Sequence, residues 1–497
     1  MSNLHLSKSR FCSAVQCPKM LWLMQNRPEQ FDNSVMNENI LNTGTEVGRK
    51  ARELFGHYTE IPFGDLKEMV EKTKVLIDNG EPVIAEASFA DDENFCSVDV
   101  LLNKGSGKVE VYEVKSSTEV KDIYLYDVAY QYHVLSSQGY DVEKACLVYI
   151  NNQYMRHGDL DLNELFKIDD LTEQVRGMQD EVCARIDELR DIMAQSEEPT
   201  RGIEAHCFNP YSCGFFKYCT KDWPHPNIFD IASLQNRSRF KLMKEGILSF
   251  EEVEAKNAVK PNYMLQVKHE LHEQPDAINV DGIKAFMDTL SYPLYFLDFE
   301  SFQPAIPLFD DSKPYEQIVF QYSLHYILEE GGELKHKEFL SYPGEDPRRA
   351  VAEHLVEDIP EDVCTLAYNM GFEKGRISGL AELYPDLREH LVNIKDNIKD
   401  LMIPFRQKNY YNRAMQGSYS IKYVLPALFP DDSELDYHNL EGVHNGTEAS
   451  ATFAEMADMA PDKLEEYREY LLKYCGLDTY AMVKVWEKLK EVIGGKE

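Results

Sequence analysis

Two β-branched runs, Cys96–Leu102 and Val109–Lys115, flank Gly105-Ser106-Gly107 and constrain this chain more than any other feature. Extended runs on either side of such a break predict a hairpin. Side chains alternate faces along a strand, so Glu113 and Lys115 share one face. Asp99 on the preceding strand reaches the same place. Two carboxylates and a lysine at a strand end suit a divalent cation held through oxygen, with the lysine offsetting phosphate charge or activating a water. The same residue types are also the commonest on a solvated hairpin face. Glu86, in the extended run Pro82–Ala87, adds a carboxylate. The stretch Val120–Ser137 predicts an amphipathic helix with Asp127 and Gln131 one turn apart.

A second acid constellation begins at Tyr292. Pro293–Ser301 reads as a buried strand whose Asp298 and Glu300 share a face. Carboxylates on so apolar a strand need a partner. Further strands are expected over 316–327 and 334–340, and a helix over 346–359. Thr365–Glu373 reads as a strand, a turn containing Asn369 and Gly371, and the start of a helix carrying Glu373. Asp400 is a lower-ranked candidate for the same role. A helix over 465–490 places Tyr474 and Asp478 one turn apart. Gly417-Ser418-Tyr419-Ser420-Ile421-Lys422 suits a loop that opens a helix, either taking a phosphate there or capping the helix through Ser418.

Six of the ten cysteines are scattered and read as small buried hydrophobes. Cys207-x5-Cys213-x5-Cys219 lies in an aromatic segment broken by Pro210 and Gly214, and Cys17 in Gln16-Cys17-Pro18-Lys19 is the candidate fourth thiol. Four thiolates would hold a [4Fe-4S] cluster. A zinc site completed by His206 or Cys12 is the alternative.

At 497 residues the chain is too long for one core, so two or three domains are expected. The net charge is −34, which excludes a protein coated in nucleic-acid-binding surface. Both halves are acidic, although residues 1–50 carry a slight positive balance. Any nucleic acid must enter a local groove, with metal ions offsetting carboxylate charge. No stretch is apolar enough to span a membrane and no signal peptide opens the chain, so a cytoplasmic location without a membrane partner is expected.

Asp99, Glu113-x-Lys115 and Gln131 resemble the motifs of PD-(D/E)XK nucleases, in the RecB-like branch that includes the Cas4-type exonucleases. The resemblance spans about residues 1–220. It implies metal-dependent cleavage of DNA ends, with Asp99, Glu113, Lys115 and Gln131 catalytic and Mg2+ or Mn2+ held by Glu86, Asp99 and Glu113. It also implies a [4Fe-4S] cluster on Cys17, Cys207, Cys213 and Cys219, since that branch places one cysteine before and three after the nuclease core.

The C-terminal part resembles the DEDD family of 3′–5′ exonucleases. Asp298-x-Glu300 matches the first motif. Asn369-x2-Phe372-Glu373 matches the second, with Glu where Asp is usual, and Tyr474-x3-Asp478 matches the third. This implies two-metal hydrolysis with Asp298, Glu300, Glu373 and Asp478 holding the ions and Tyr474 orienting the water. The whole layout resembles a bacterial family, catalogued as a domain of unknown function, that joins the two modules.

The expected fold class is therefore α/β. A PD-(D/E)XK restriction-endonuclease-like domain over 1–221 and an RNase H-like domain over 291–497 are joined by a helical connector over 222–290. The expected function is a metal-dependent phosphodiester hydrolase, exodeoxyribonuclease-like, acting on nucleic acid and above all on DNA ends, with protein partners in repair or defence against foreign DNA. The alternative is a catalytically weak or inactive nucleic-acid-binding adaptor for a partner nuclease.

Overall fold

The computed structural model describes residues 6–35, 38–91 and 93–495. The chain is mixed α/β and divides into two compact units. Among the described residues no helix is long and apolar enough to cross a membrane.

The first unit runs to Asp222 and also takes in Pro304–Glu316. Its sheet contains β1 (Leu6–Ser7), β2 (Thr59–Glu60), β3 (Val83–Ala90), β4 (Asn94–Gly105), β5 (Lys108–Lys115), β6 (Asp141–Ile150) and β7 (Phe166–Asp170), in the order β2-β3-β4-β5-β6-β7 with β1 beside β4. The hairpin expected from the sequence is β4–β5. Ser106 and Gly107 both have positive φ (54° and 78°), as a tight two-residue hairpin turn requires. β5 and β6 are parallel, so a crossover must join them. Helix Asp122–Ser137 is that crossover and buries Val128, Ala129, Val134 and Leu135 against one sheet face. Val47 and Ala51 of helix Glu38–Arg52 cover part of the other face, with Val100 and Val148.

From sequence, residues 304–316 fall in the C-terminal domain; the structure packs them in the first unit. Ala305 and Ile306 are buried against the Val47–Val100 cluster. Arg156 Nη1 donates to the carbonyls of Pro307 (3.1 Å) and Leu308 (2.8 Å), and the Tyr315 hydroxyl donates to the Ser116 carbonyl.

The second unit holds Trp223–Gln303 and Gln317–Glu497, so the connector helices belong to it. Its strands are β8 (Ala277–Ile278), β9 (Leu294–Phe302), β10 (Ile318–Ile327), β11 (Lys335–Leu340), β12 (Cys364–Ala367), β13 (Ile398–Asp400) and β14 (Tyr410–Tyr411). Five form a sheet ordered β11-β10-β9-β12-β13, and β8 pairs with β14. β9 is the central strand, antiparallel to β10 and parallel to β12. Its alternation decides the layering. Leu294 and Phe296 face the long helix Pro461–Gly494 through Val485 and Leu489. Tyr295, Leu297 and Phe299 face Leu355, Ile377 and Ile394 on helices Arg348–Asp358, Gly371–Leu383 and Arg388–Asp396.

Candidate functional site

The even-numbered residues of β9 face helix Pro461–Gly494, so Asp298 and Glu300 meet Tyr474, Cys475 and Asp478 of that helix. Glu373 joins them from the first turn of helix Gly371–Leu383, which starts just after β12. The Tyr437 hydroxyl donates to Asp478 Oδ1 at 2.6 Å, and the Tyr474 hydroxyl bonds the same carboxylate. Gly446, first residue of helix Gly446–Glu455, lies against Glu300: a Cβ there would stand 3.6 Å from Glu300 Oε2 and 3.9 Å from the Tyr474 hydroxyl. The positive helix start thus faces a carboxylate. A cleft of about 600 Å³, lined in part by Lys422, Tyr437, Tyr474 and Asp478, opens beside the site.

Glu300 and Glu373 are buried, Asp298 and Asp478 are half-buried, and among the described residues none of the four is in a salt bridge. Burial, then Asp478, Glu300 and Glu373, raise the Asp298 carboxyl well above its ordinary range. Burial and Asp478 do the same to Glu300, against a weaker pull from Lys422. Burial pushes Glu373 up to about 8, with Asp400 adding to it. Asp478 is pushed up to about 6 by burial, held back by its two tyrosine hydrogen bonds and by Lys422. Glu373 is 2% exposed, yet its Oε2 has no hydrogen-bond partner. An orphaned carboxylate oxygen inside a cluster of acids is what a divalent cation would satisfy, so the donor set fits Mg2+ or Mn2+. Ligand atoms of Asp298, Glu300 and Cys475 lie within 4.8 Å of one another. Cys475, read from sequence as a scattered hydrophobe, is held as a neutral thiol by burial and these acids.

Asp400 has a different job. Its Oδ1 accepts from the amides of Asn369 (3.0 Å) and Met402 (3.1 Å), fixing the turn in which Asn369 takes φ 71°. Ser418 does not cap the helix Ile421–Leu428: Ser420 occupies the cap position, and Ser418 Oγ accepts from its amide at 3.2 Å.

The first unit gathers the expected residues too, but there cations pair with most of the acids. Lys115 Nζ donates to Glu113 Oε1 (2.7 Å) and Asp127 Oδ2 (2.6 Å). Gln131 Nε2 donates to Glu113 Oε2 (2.7 Å) and Asp127 Oδ1 (3.0 Å). Lys8 Nζ straddles both oxygens of Glu113 at 2.8 Å and lies 3.6 Å from Asp127. Asp99 Oδ2 accepts from the Val114 amide at 2.7 Å. Glu86 is ion-paired with Arg52, and burial and Asp99 push its carboxyl up to about 7 against that pairing. Burial pulls both lysines down, but Asp127, Glu113 and Asp99 more than offset it and hold them above their ordinary value. With Lys8 and Lys115 on Glu113, and Arg52 on Glu86, this donor set does not fit a divalent metal as it stands. Lys8 and Arg52 escaped the sequence reading because each is far along the chain from the acid it binds.

Glu86 also has φ 56°, a conformation costing roughly 1–3 kcal/mol in a non-glycine residue. The register runs unbroken from Ala85↔Val100 to Ala87↔Val98, which sets Glu86 opposite Asp99. The pleat reverses there on both strands. Ile84 and Ala87 face the same core, as do Val98 and Leu101.

Cys17 sits between helices Lys8–Gln16 and Pro18–Asn26. It lines one small cavity with Cys207, Cys213, Cys219 and His206; Cys12 does not. Gln16 Nε2 donates to the carbonyls of His206 and Tyr211, both at 2.7 Å, tying the first helix to this segment. A Cβ at Gly214 would sit 2.5 Å from the Phe31 ring, so only glycine allows that close approach.

Two outcomes follow from these charge balances. In an Asp298→Asn background, Mn2+ is expected to raise the thermal midpoint of a Lys8→Ala variant and leave that of the Lys8-bearing protein unchanged; equal shifts in both would mean Lys8 does not close the first site. The raised carboxyls of the second unit make the folded chain bind more protons than the unfolded one. Their stabilising contribution is full below about pH 4, near their unfolded values, and is lost as pH rises through about 6 for Asp478 and about 8 for Glu373. Metal-free protein is therefore expected to lose thermal stability over that window, and Glu373→Gln to flatten the upper part of the profile.

Residues 295–420 match the family model Domain of unknown function (DUF2779). The matched segment carries Asp298, Glu300 and Glu373 and stops before Tyr474 and Asp478. No curated protein and no solved structure matches the chain. Over that segment, roughly a quarter of its length, the chain is similar to this domain-of-unknown-function family.

Proposed function

We propose that the second unit is a metal-dependent nuclease that hydrolyses phosphodiester bonds of nucleic acid, DNA in the first instance. The observation that carries the reading is the convergence of Asp298, Glu300, Glu373 and Asp478, none of them in a salt bridge among the described residues, with Glu373 Oε2 unpartnered. A central strand bearing Asp-x-Glu, flanked by an antiparallel strand on one side and a parallel one on the other, also supports an RNase H-like fold.

Asp298, Glu300, Glu373 and Asp478 would hold the ions. Bound ions would supply positive charge at the scissile phosphate and lower the pKa of the attacking water. The remaining work falls to the chain. Tyr437 and Tyr474 fix the rotamer of Asp478 through their hydroxyls. Asp400 holds the turn before Glu373. Lys422 leaves a positive charge beside Glu300 and Asp478, where a phosphate would approach.

In the first unit no catalytic step is derived, because Lys8 and Lys115 neutralise Glu113. That charge balance favours a second reading for this unit, a nucleic-acid or partner-binding adaptor on a restriction-endonuclease-like sheet. Its four cysteines line one cavity and are the donor set for a [4Fe-4S] cluster.

The test is digestion of end-labelled single- and double-stranded DNA, and then RNA, with Mg2+ or Mn2+. Wild type is expected to degrade one of them, and Asp298→Asn to lose about 100-fold or more of the rate, since Asp298 is one of the four residues that would hold the ions. Lys115→Ala is expected to leave digestion unchanged. Wild type inert on every substrate would overturn the reading. Iron and sulfide in anaerobically purified protein, lost in Cys213→Ser, would support the cluster; stoichiometric zinc would overturn it.

A further inference from the structure

A second cleft in the same unit has the opposite character. It measures about 450 Å³ and is lined by Lys260, Tyr263, Arg406, Lys408, Gly417 and Tyr419 among others, with no carboxylate in its wall. In a chain of net charge −34, three cations around one cleft are unexpected. Among the described residues neither Lys260 nor Lys408 has a carboxylate within 4 Å; Arg406 Nη1 stands 3.6 Å from Asp400. Lys408 Nζ donates to the Gly417 carbonyl at 2.6 Å and lies 4.7 Å from the Tyr411 ring centroid. Burial alone pushes its amine down to about 8. Positive charge held there without an anion is the electrostatic mirror of the acid site.

Three further features suit a phosphate chain. The 12-residue helix Pro261–His272 begins in the cleft, with Lys260 at its cap, so the positive helix end adds to the side-chain charge. Tyr263 and Tyr419 bring aromatic rings on which bases stack without sequence preference. Gly417 has φ 76°, and a Cβ there would collide with the Gln266 side chain. Gln266 is itself fixed, accepting from the Ala232 amide and donating to the Asp230 carbonyl, both at 2.9 Å.

The cleft is joined to the acid site by short links. The Tyr368 hydroxyl donates to the Tyr419 carbonyl at 2.7 Å, and Tyr368 directly precedes the Asn369 turn that leads to Glu373. Arg406 reaches the same turn through Asp400. Gly417 and Tyr419 line the cleft, and Lys422, three residues after Tyr419, lies beside Glu300 and Asp478. Five residue steps cover ~17 Å at most.

We propose that this cleft is a phosphate-backbone subsite, holding the single-stranded part of a polynucleotide whose end lies at the Asp298–Glu300–Glu373–Asp478 site. The proposal rests on the nuclease reading and adds its substrate form: a single strand longer than a dinucleotide. Lys260, Arg406 and Lys408 take the phosphates; Tyr263 and Tyr419 take the bases.

The test uses the full-length protein and exposed Lys260, whose replacement breaks no internal bond named above. Binding of a 5′-fluorescein-labelled dT 12-mer is followed by anisotropy in EDTA across a salt series. Cleavage of the 12-mer and of thymidine 5′-(4-nitrophenyl phosphate) is followed with Mn2+. Lys260→Glu is expected to weaken 12-mer binding several-fold and to reduce the slope of log Kd against log salt by about 0.7, the value for one lost single-strand phosphate contact. KM for the 12-mer is expected to rise, with small-diester cleavage unchanged. Oligonucleotide binding equal to wild type, while Asp298→Asn still abolishes cleavage, would overturn the subsite and leave the nuclease reading standing. Lost 12-mer binding in Lys260→Glu, with a wild type that cleaves neither substrate, would support the subsite and overturn the nuclease reading. Competition by thymidine monophosphate or inorganic phosphate as strong as that of unlabelled 12-mer would overturn the polynucleotide assignment in favour of a small-anion site.

Discussion

Four carboxylates from three elements converge in the second unit, and among the described residues none of them is in a salt bridge. Two unit charges ~4 Å apart repel by roughly 4 kcal/mol at an effective dielectric near 20, so such a cluster persists only where the scaffold forces it. Here β9 is packed on both faces, by Phe296 against Trp486 on one side and by Leu297 and Phe299 against the three-helix layer on the other. The strand cannot shift to part its acids without losing both cores. The stored electrostatic cost is relieved by protons at low pH or by a divalent cation at neutral pH. The apparatus around it follows from that tension: two tyrosines on Asp478, a helix start against Glu300, and Asp400 diverted to hold the turn before Glu373.

The first unit resolves the same problem differently. Glu113, Asp127, Asp99 and Glu86 converge too, yet Lys8, Lys115 and Arg52 meet three of them and the Val114 amide the fourth. Three of those four acids are ion-paired, and Asp99 is held by a backbone amide. The two constellations share residue types and differ in chemistry because a counter-charge is a matter of neighbours rather than of motif. The strained Glu86 belongs to the same balance. Its left-handed backbone keeps the core faces of β3 and β4 buried on either side of a point where two acids oppose each other.

Charge is also partitioned on a larger scale. The acidic total argued against a broad nucleic-acid-binding surface, and the structure concentrates cations where they are scarce, around Lys260, Arg406 and Lys408. A phosphate chain meeting an acidic protein is attracted only at such a spot, which turns a deficit of positive charge into positional selectivity.

Periodicity made much of this legible. The β4–β5 hairpin, the shared face of Glu113 and Lys115, the Asp298/Glu300 pair and the single-turn spacing of Tyr474 and Asp478 are local, set by alternation at two residues and recurrence at 3.6. The spacing of Cys207, Cys213 and Cys219 in an aromatic segment is local, whereas Cys17 lies far along the chain from them. Lys8, 105 residues from Glu113, left no local trace, and neither did Arg52 beside Glu86, Tyr437 beside Asp478, or the return of residues 304–316 to the first unit. Local pattern set strands β3, β4, β5, β9, β10 and β11 and the faces of Glu113, Asp298 and Glu300, because those follow from backbone alternation and burial of apolar neighbours. Which acids are neutralised and which are left for a cation came from the packing of distant segments, because Coulomb attraction depends on distance in space, which the chain's order does not encode.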